Sequence, residues 1–312
     1  DENGVLTFKA DLPNVKYHIE ETKAPDGYHS TDVQREVDAS FDESKGQTVE
    51  YEAVITNHET EVEISKQDIT TQVETAGNYL QVFDDQGQLV DEWVSELGKS
   101  HIITKLTVGK EYTLVERLAA TGYLKAQDIK FVVEDYGDEF KVQEIQVMYD
   151  ELVKGQIYVE KQGDVLTGIT KAEDGTIDFV YEKRALKGAT YEIYAAEDIK
   201  HPDGVSEDFY KKDDLVDTVT TGDRGTATSK ELPLGKYYLV ETQAPDGFVL
   251  NPERYEAELT YKDQYTEIVT DEVTALNEKQ NVEITAIKQD KETHEYLEGA
   301  EFTLYNTEDI RN

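Results

Sequence analysis

The sequence predicts an all-β protein built from tandem domains, and three observations support this prediction. Alternation of apolar and polar residues, bounded by Gly, Asn and Asp turns, runs through the chain, whereas helical periodicity is scarce. The length of 312 residues suits two to three domains of about 100 residues each. A related sequence pattern also recurs at residues 17–28, 112–123 and 237–248.

The composition describes an acidic chain without cysteine. The sequence has 68 acidic and 31 basic residues and a net charge of −37. Nucleic acids and anionic membranes require basic surfaces, so neither is expected as a partner. The simplest interpretation of the acidic residues is a soluble, self-repelling surface. Specific cation binding is the alternative, although no calcium-loop pattern occurs, and we expect no cofactor. The absence of cysteine excludes disulfides and thiol chemistry.

The sequence contains neither a run of about 18 apolar residues nor a charged segment followed by an apolar leader. The chain begins and ends within its repeated pattern. We therefore expect a fragment of a longer protein, in which this part makes no membrane contact.

Each copy of the pattern places a glutamate on the apolar face of a strand. These glutamates are Glu21, Glu116 and Glu241. An aromatic and an aliphatic residue precede each of them on the same face. An ionised and unpaired carboxylate in a core costs several kcal/mol. Each glutamate is therefore expected to face water or to have a dedicated partner.

Two further polar positions recur at constrained distances along the chain from each glutamate. An Asn or Asp that ends an alternating strand follows the glutamate, at Asn57, Asp150 and Asn277. A lysine that ends the next alternating strand comes after it, at Lys66, Lys161 and Lys288. The simplest alternative is a set of unrelated polar residues that each reach water at a strand end. Repetition of the whole set favours a common role.

The phase of this repeat divides the chain into four parts. Residues 1–57 are predicted to be the C-terminal part of a domain, and residues 279–312 the N-terminal part of another. Residues 58–151 and 152–278 are predicted to be complete domains. The longer of these has two insertions, near residues 169–183 and 201–213, which we expect in loops. Because the linkers are nearly absent, the sequence predicts a stiff, monomeric rod.

A buried lysine, a glutamate and an Asn or Asp have the right chemistry to form an isopeptide bond. Burial moves the lysine pKa towards that of a neutral amine, which is a nucleophile, and raises the pKa of a carboxyl group. The side-chain carbon of Asn or Asp is the electrophile, and the glutamate can move the proton. The product is a Lys–Asn or Lys–Asp amide, with release of ammonia or water.

Three features of the chain together resemble known repeats. They are the motif YxLxETxAPDGY, a strand that ends in lysine within ISKQD, and a last strand that ends in Asn or Asp. These are the Cna B-type repeats of Gram-positive collagen adhesins and of sortase-assembled pilins. The run VMYD at residues 147–150 is similar to the reactive last strand of a member that has been split into a peptide tag and a catcher. The resemblance implies tandem transthyretin-like β-sandwich domains with intramolecular isopeptide bonds.

Carried over by residue, the resemblance implies two complete triads and two incomplete ones. The complete ones are Lys66 to Asp150 with Glu116, and Lys161 to Asn277 with Glu241. In the incomplete ones, Glu21 and Asn57 lack their lysine, and Lys288 lacks its glutamate and acceptor. Two departures from the pattern stand out. Ala120 and Thr121 replace Pro and Asp in one turn, and Lys154 and Lys171 are alternative donors to Lys161, which strand phase favours.

The resemblance implies a non-enzymatic stalk of a secreted, cell-wall-associated adhesin or pilin-like protein. Other parts of that protein would contact host matrix proteins or glycans. The alternative is that one of these domains itself binds such a ligand, as tyrosine-rich surfaces and residues 201–213 suggest. An enzyme acting on an external substrate is not expected, because the six histidines show no metal-site spacing and no nucleophile or phosphate-loop motif occurs.

Overall fold

The computed structural model describes residues 4–8, 12–45, 49–139, 141–144, 147–173 and 176–307. These residues form strands, bridges and turns, and none of them is helical. The described part of the chain accordingly has no helix that could span a membrane. The chain divides into two compact units, Asp1–Glu151 and Leu152–Asn312. The predicted all-β class is confirmed.

The described residues of the first unit form eleven strands. They are β1 (Lys16–Ile19), β2 (Arg35–Asp38), β3 (Glu61–Ile64), β4 (Lys66–Asp68), β5 (Tyr79–Phe83), β6 (Leu89–Val94), β7 (His101–Thr104), β8 (Glu111–Leu118), β9 (Ile129–Val132), β10 (Gln143–Glu144) and β11 (Met148–Asp150). An antiparallel sheet has the order β6-β5-β8-β9. Strand β3 lies between β7 and β10, β4 pairs with β11, and β1 pairs with β2. Both β10–β3 and β11–β4 are parallel pairs.

Alternation along these strands builds the core of the first unit. Val62 and Ile64 face inward from β3, while Leu80 and Val82 face inward from β5. Leu114 of β8 packs in the same buried cluster. Because successive strand residues point to opposite faces, every second residue of β3 and of β5 enters this cluster. The core therefore lies between the β5–β8 sheet and the strands around β3.

Residues 27–32 contact the part of the first unit that starts at residue 58. The carbonyl oxygen of Gly27, whose φ is 86°, accepts a hydrogen bond from Thr60 N. His29 is buried, and its Nδ1 accepts a hydrogen bond from Tyr136 N at 3.2 Å. The hydroxyl group of Thr31 bonds to Asp138. These contacts tie residues 27–32 of the predicted partial domain to the predicted domain of residues 58–151.

Nine strands occur in the part of the second unit that the structure describes. They are β12 (Lys154–Lys171), β13 (Ile177–Ala185), β14 (Thr190–Ala195), β15 (Leu215–Thr220), β16 (Thr226–Thr228), β17 (Leu232–Pro233), β18 (Gly235–Gln243), β19 (Arg254–Leu259) and β20 (Ile268–Asn277). One sheet is centred on β12, which pairs with β13, β16 and β17 antiparallel and with β20 parallel. The other has the order β15-β14-β18-β19. A buried cluster that includes Ile157, Ile193 and Leu239 fills the space between them.

The two predicted insertions have different structures. The insertion near residues 169–183, expected in a loop, is instead a β-hairpin in which β12 and β13 pair from Gln162↔Ala185 to Lys171↔Ile177. The prediction was wrong because an exposed hairpin is held by backbone pairing and needs no apolar alternation. Residues 201–213 form a loop, as predicted, closed by an isolated bridge between Ile199 and Tyr210.

Candidate functional site

The second unit brings Lys161, Glu241 and Asn277 together in its interior. Lys161 lies on β12 and Asn277 ends the neighbouring parallel strand β20. The amino group of Lys161 contacts Asn277 Oδ1 and lies 3.0 Å from Glu241 Oε1. The amide nitrogen of Asn277 donates to Glu241 Oε1 at 3.0 Å and to Oε2 at 2.9 Å. The three side chains form one closed set of polar contacts.

This set is excluded from solvent. The side chains of Lys161 and Glu241 are both 0% exposed, and Asn277 is buried. Burial disfavours the charged ammonium and lowers the pKa of Lys161, although the Glu241 carboxylate opposes that shift. A lowered pKa increases the fraction of neutral amine, which is the nucleophilic form. The environment therefore favours attack by Lys161 on a neighbouring carbonyl carbon.

The first unit brings Lys66, Glu116 and Asp150 together in the same way. Lys66 opens β4 and Asp150 ends β11, the parallel neighbour of β4. The amino group of Lys66 contacts Asp150 Oδ1 and lies 3.2 Å from Glu116 Oε1. Asp150 Oδ2 also accepts a hydrogen bond from the Thr75 hydroxyl group at 3.1 Å. All three members of the triad are buried.

Asp150 differs from Asn277 because it can ionise. Burial raises the pKa of Asp150 from 3.8 to about 7, Lys66 opposes the rise, and Glu116 adds to it. A carboxylate resists attack by an amine, whereas the protonated acid has a neutral carbonyl carbon and can lose water. The raised pKa keeps a large fraction of Asp150 in the reactive form near neutral pH.

The two incomplete triads are placed differently. Asn57 Nδ2 donates to Glu21 Oε2 at 2.6 Å, so the structure brings this pair together. Among the described residues no lysine pairs with Glu21. Lys288 is exposed, and its backbone carbonyl accepts a hydrogen bond from Leu297 N at 3.0 Å.

The backbone around Lys288 repeats the backbone around Lys66. Asp68 Oδ1 accepts hydrogen bonds from the amides two and three residues later, and Asp290 Oδ1 does the same. Gln72 has a φ of 58° and His294, at the matching position, a φ of 60°. Residues 288–299 thus adopt the turn that follows Lys66 in the first unit, which places Lys288 at the equivalent position of a repeat.

A shared backbone contact holds all three glutamates. Each accepts a hydrogen bond from the backbone amide ten residues later: Thr31 N to Glu21, Ala126 N to Glu116 and Asn251 N to Glu241. The contact persists in the copy where Ala120 and Thr121 replace Pro and Asp. In that copy Tyr123 N still donates a hydrogen bond to Ala120 O at 3.1 Å. Gly122, which lies between Thr121 and Tyr123, has a φ of 96°. The turn geometry therefore survives the loss of proline.

The alternative donors to Lys161 lie elsewhere. Lys154 pairs with Glu231 at 2.7 Å on the surface, and Lys171 is exposed at the far end of β12. The described residues hold no group of three or more His, Cys, Asp or Glu placed to bind a metal ion. Two residues whose hydroxyl groups contact the triads were not predicted from the sequence. Thr75 lies beside Asp150, and the hydroxyl group of Tyr191 lies 2.7 Å from Lys161 Nζ.

Comparisons with known proteins agree with this architecture. The family model described as the SpaA prealbumin-like fold domain matches residues 1–54, 60–147 and 176–274. The trypsin-resistant surface T6 protein of Streptococcus pyogenes serotype M6 is 32% identical over 115 residues, which cover 33% of this chain and 19% of that protein. This chain thus spans less than a fifth of that relative's length in the match.

One solved structure has a similar fold, and a pilin structure matches more weakly. The Bacillus anthracis TIE protein is 24% identical with a TM-score of 0.53, and the match covers 86% of this chain and 43% of that one. The minor pilin GBS52 of Streptococcus agalactiae is 15% identical with a TM-score of 0.27, covering 73% of this chain and 100% of that one. The predicted β-sandwich fold and the resemblance to Gram-positive surface-protein repeats are confirmed. Since the family model matches most of the sequence, the chain belongs to the SpaA family of prealbumin-like fold domains.

Proposed function

We propose that this chain is a structural stalk segment of a Gram-positive cell-surface protein, stabilised by autocatalytic isopeptide bonds. One bond joins Lys66 to Asp150 with the help of Glu116. The other joins Lys161 to Asn277 with the help of Glu241. One observation carries the proposal. The amino group of each buried lysine contacts both a glutamate and the side-chain oxygen of an Asn or Asp.

The reaction at Asn277 follows from these contacts. The Lys161 ammonium gives a proton to Glu241, which leaves a neutral amine and a neutral carboxylic acid. The amine attacks the side-chain carbon of Asn277, so that a new C–N bond forms and the bond to Nδ2 breaks. Glu241, which contacts Nδ2, gives its proton to that nitrogen and takes up the second proton of the Lys161 amine, so that ammonia leaves and the new amide keeps one hydrogen. At Asp150 the same steps release water.

Bond formation removes the cost of the buried charges. Two oppositely charged side chains in a core need excellent geometry to offset their desolvation. A neutral amide has no such cost and is satisfied by ordinary hydrogen bonds. The glutamate, held by its backbone amide partner, remains beside the product. Each glutamate acts once in its own chain, so the protein is not an enzyme for external substrates.

Surface display is supported by the relatives. The T6 protein is described as a surface protein, and several related structures are described as pilins. A stalk exposed to force and proteases gains from a covalent bond between neighbouring strands. We accordingly place the protein outside the cell, associated with the cell wall. Host matrix proteins or glycans would be bound by other parts of the whole protein.

The domain division is part of this proposal. Residues 58–151 and 152–278 each hold a complete triad, whereas residues 1–57 and 279–312 each hold part of one. Glu21 with Asn57 repeats the carboxylate–amide pair of the second unit. The turn after Lys288 repeats the turn after Lys66.

The test is the intact mass of the denatured chain. We expect a deficit of about 18 Da from the first bond and about 17 Da from the second, the masses of water and ammonia lost in the nucleophilic step. Peptide mapping should then show Lys66 linked to Asp150 and Lys161 linked to Asn277. The matched variants Lys66→Arg and Lys161→Arg should each remove one deficit and keep the other. A folded chain whose mass equals the value calculated from its sequence, with no deficit, would disprove the proposal.

A further inference from the structure

Tyr191 is a buried tyrosine that contacts the second triad. It lies on β14, opposite Glu241 in the register of β14 with β18, and is 0% exposed. Its hydroxyl oxygen accepts a hydrogen bond from Lys161 Nζ at 2.7 Å. The hydroxyl group lies 3.4 Å from Glu241 Oε1, to which it donates. It thus connects the amine with the carboxylate.

The first triad has a different residue at this position. Leu80 on β5 stands opposite Glu116 in the register of β5 with β8, as Tyr191 stands opposite Glu241. Leucine has no hydroxyl group, and the hydroxyl near the first triad belongs to Thr75, which contacts the acceptor Asp150 instead of the lysine. The two triads therefore differ in which reacting group has a hydroxyl partner.

We propose that Tyr191 is a further catalytic residue of the second triad, which orients the Lys161 amine for attack on Asn277. This inference rests on the proposed isopeptide chemistry and adds a fourth residue to it. In the neutral amine, nitrogen carries the chain carbon, two hydrogens and one lone pair. With the transferred proton on Glu241 Oε2, Tyr191 Oη and Glu241 Oε1 accept the two hydrogens of the amine, and the lone pair takes the remaining direction, towards Asn277.

The tyrosine acts as a neutral hydrogen-bonding group. Burial, assisted by the nearby Glu241, raises the pKa of Tyr191, so the hydroxyl group keeps its proton. Its oxygen accepts a hydrogen bond from the amine and its O–H donates to Glu241 Oε1, so it adds no charge to the core. The proton balance is unchanged: one hydrogen stays on the new amide, three leave in ammonia, and the remaining one is held by Glu241 until it leaves with ammonia as ammonium.

The test compares the rates of the two bonds in one chain. Unreacted protein, solubilised from inclusion bodies in urea, is refolded by dilution, quenched in acid at set times and analysed by mass. We expect Tyr191→Phe to slow formation of the Lys161–Asn277 bond at least about tenfold, the effect of losing one well-placed hydrogen bond. The Lys66–Asp150 bond should form at its normal rate and serves as an internal control.

Tyr194→Phe is the matched control variant. It makes the same change on the same strand, but the Tyr194 hydroxyl bonds to Glu192, away from the triad. Both bonds should form at the normal rate in this variant. Circular dichroism of the same samples shows whether slow bonding follows completed folding. If Tyr191→Phe does not fold, 3,5-difluorotyrosine at position 191 keeps the ring and the hydroxyl but weakens the oxygen as an acceptor, and it should slow the second bond.

The outcomes separate this inference from the proposed function. If the wild-type chain loses no ammonia, the isopeptide proposal itself fails. If the wild-type chain forms the second bond, and the folded Tyr191→Phe or difluorotyrosine chain forms it equally fast, the role of Tyr191 is wrong and the isopeptide proposal stands. Slow bonding in a fully folded variant, with the first bond unaffected, supports the role.

Discussion

Each triad glutamate is held on one side by the main chain, so the side chains around it determine the chemistry. Glu116 and Glu241 each accept a hydrogen bond from the backbone amide ten residues later, and each contacts a buried lysine. The acceptors differ, since Asp150 can ionise and Asn277 cannot. The two sites should therefore respond differently to pH even though their backbones match.

We predict that formation of the Lys66–Asp150 bond slows as the pH rises through about 7, the pKa of buried Asp150. Above that value the carboxylate predominates, and it is a poor electrophile. The second bond should not slow over this range, because Asn277 has no ionisation and the lowered pKa of Lys161 favours the neutral amine as pH rises. Refolding unreacted chain at pH 6 and pH 8.5, with mass analysis of quenched samples, measures both rates.

The variant Asp150→Asn is the control for this prediction. It should release ammonia instead of water and lose the decline in rate above about pH 7. The unreacted fold should itself become less stable as the pH rises from 3.8 to about 7, because the folded state holds a proton that the unfolded carboxyl group releases. An equal pH response of both bonds would contradict the assignment of the acid form of Asp150 as the electrophile.

The triad residues could be predicted from the sequence because each is an irregularity in a repeated pattern. A glutamate on an apolar face needs a partner, and the recurring spacing, together with strand phase for the lysine, suggested Lys161 and Asn277 for Glu241. Tyr191 could not be predicted in this way. A tyrosine at strand spacing is typical of core packing, and its contact with the lysine depends on the pairing of β14 with β18, which the sequence does not specify.

At the scale of elements, strand β12 organises the second unit. It runs for 18 residues and pairs with four other strands. Two of its glycines have very different surroundings. A Cβ atom at Gly163 would lie 2.6 Å from Phe248 Cε1, 2.7 Å from Leu186 Cδ1 and 3.1 Å from Asn277 O. A Cβ atom at Gly168 would meet only Val180 Cβ, at 3.9 Å.

We predict that Gly163→Ala destabilises the second unit by about 1–3 kcal/mol, since the new methyl group overpacks the site beside Asn277. It should also slow the Lys161–Asn277 bond, because displacement of β20 moves the acceptor away from the amine. Gly168→Ala, the same change on the same strand, should alter neither property. Urea denaturation and refolding with mass analysis measure the two effects. Equal behaviour of the two variants would show that packing at Gly163 does not position the acceptor.

The hairpin beyond this point shows where element prediction fails. Strand β13 is exposed along its described length, so its residues carry no alternation between a core face and a solvent face. Backbone hydrogen bonds pair β12 with β13, and the register shifts at a bulge between Leu166 and Gly168. The strands that enclose a core were predictable because burial of one face imposes a period of two on the sequence.

At the scale of the whole molecule, the proposed bonds join strands from opposite ends of each domain. Lys66 and Asp150 are 84 residues apart, and Lys161 and Asn277 are 116 apart. The joined strands are parallel neighbours in both cases. Tension applied at the two ends of a domain would therefore load the covalent bond before the rest of the sheet separates.

We predict that the chain without its two bonds is far less stable. Closing loops of this length removes about 4.5–5 kcal/mol of unfolded-chain entropy per bond on the disulfide model. The double variant Glu116→Gln with Glu241→Gln should therefore melt on the order of 20 °C lower in calorimetry and become sensitive to trypsin.

Two further variants separate the bonds from local changes. Glu21→Gln makes the same substitution at a glutamate that pairs with no lysine among the described residues, and it should keep both bonds. Gln at 116 and 241 leaves each lysine buried with one carboxylate fewer, which destabilises the fold by itself. The variant that combines Lys66→Met, Glu116→Gln, Lys161→Met and Glu241→Gln removes both the lysine and the glutamate of each buried pair together with the bonds. If only the Gln variant melts early, the unpaired charge causes the loss; if both melt early and are cut by trypsin, the covalent bonds supply the stability.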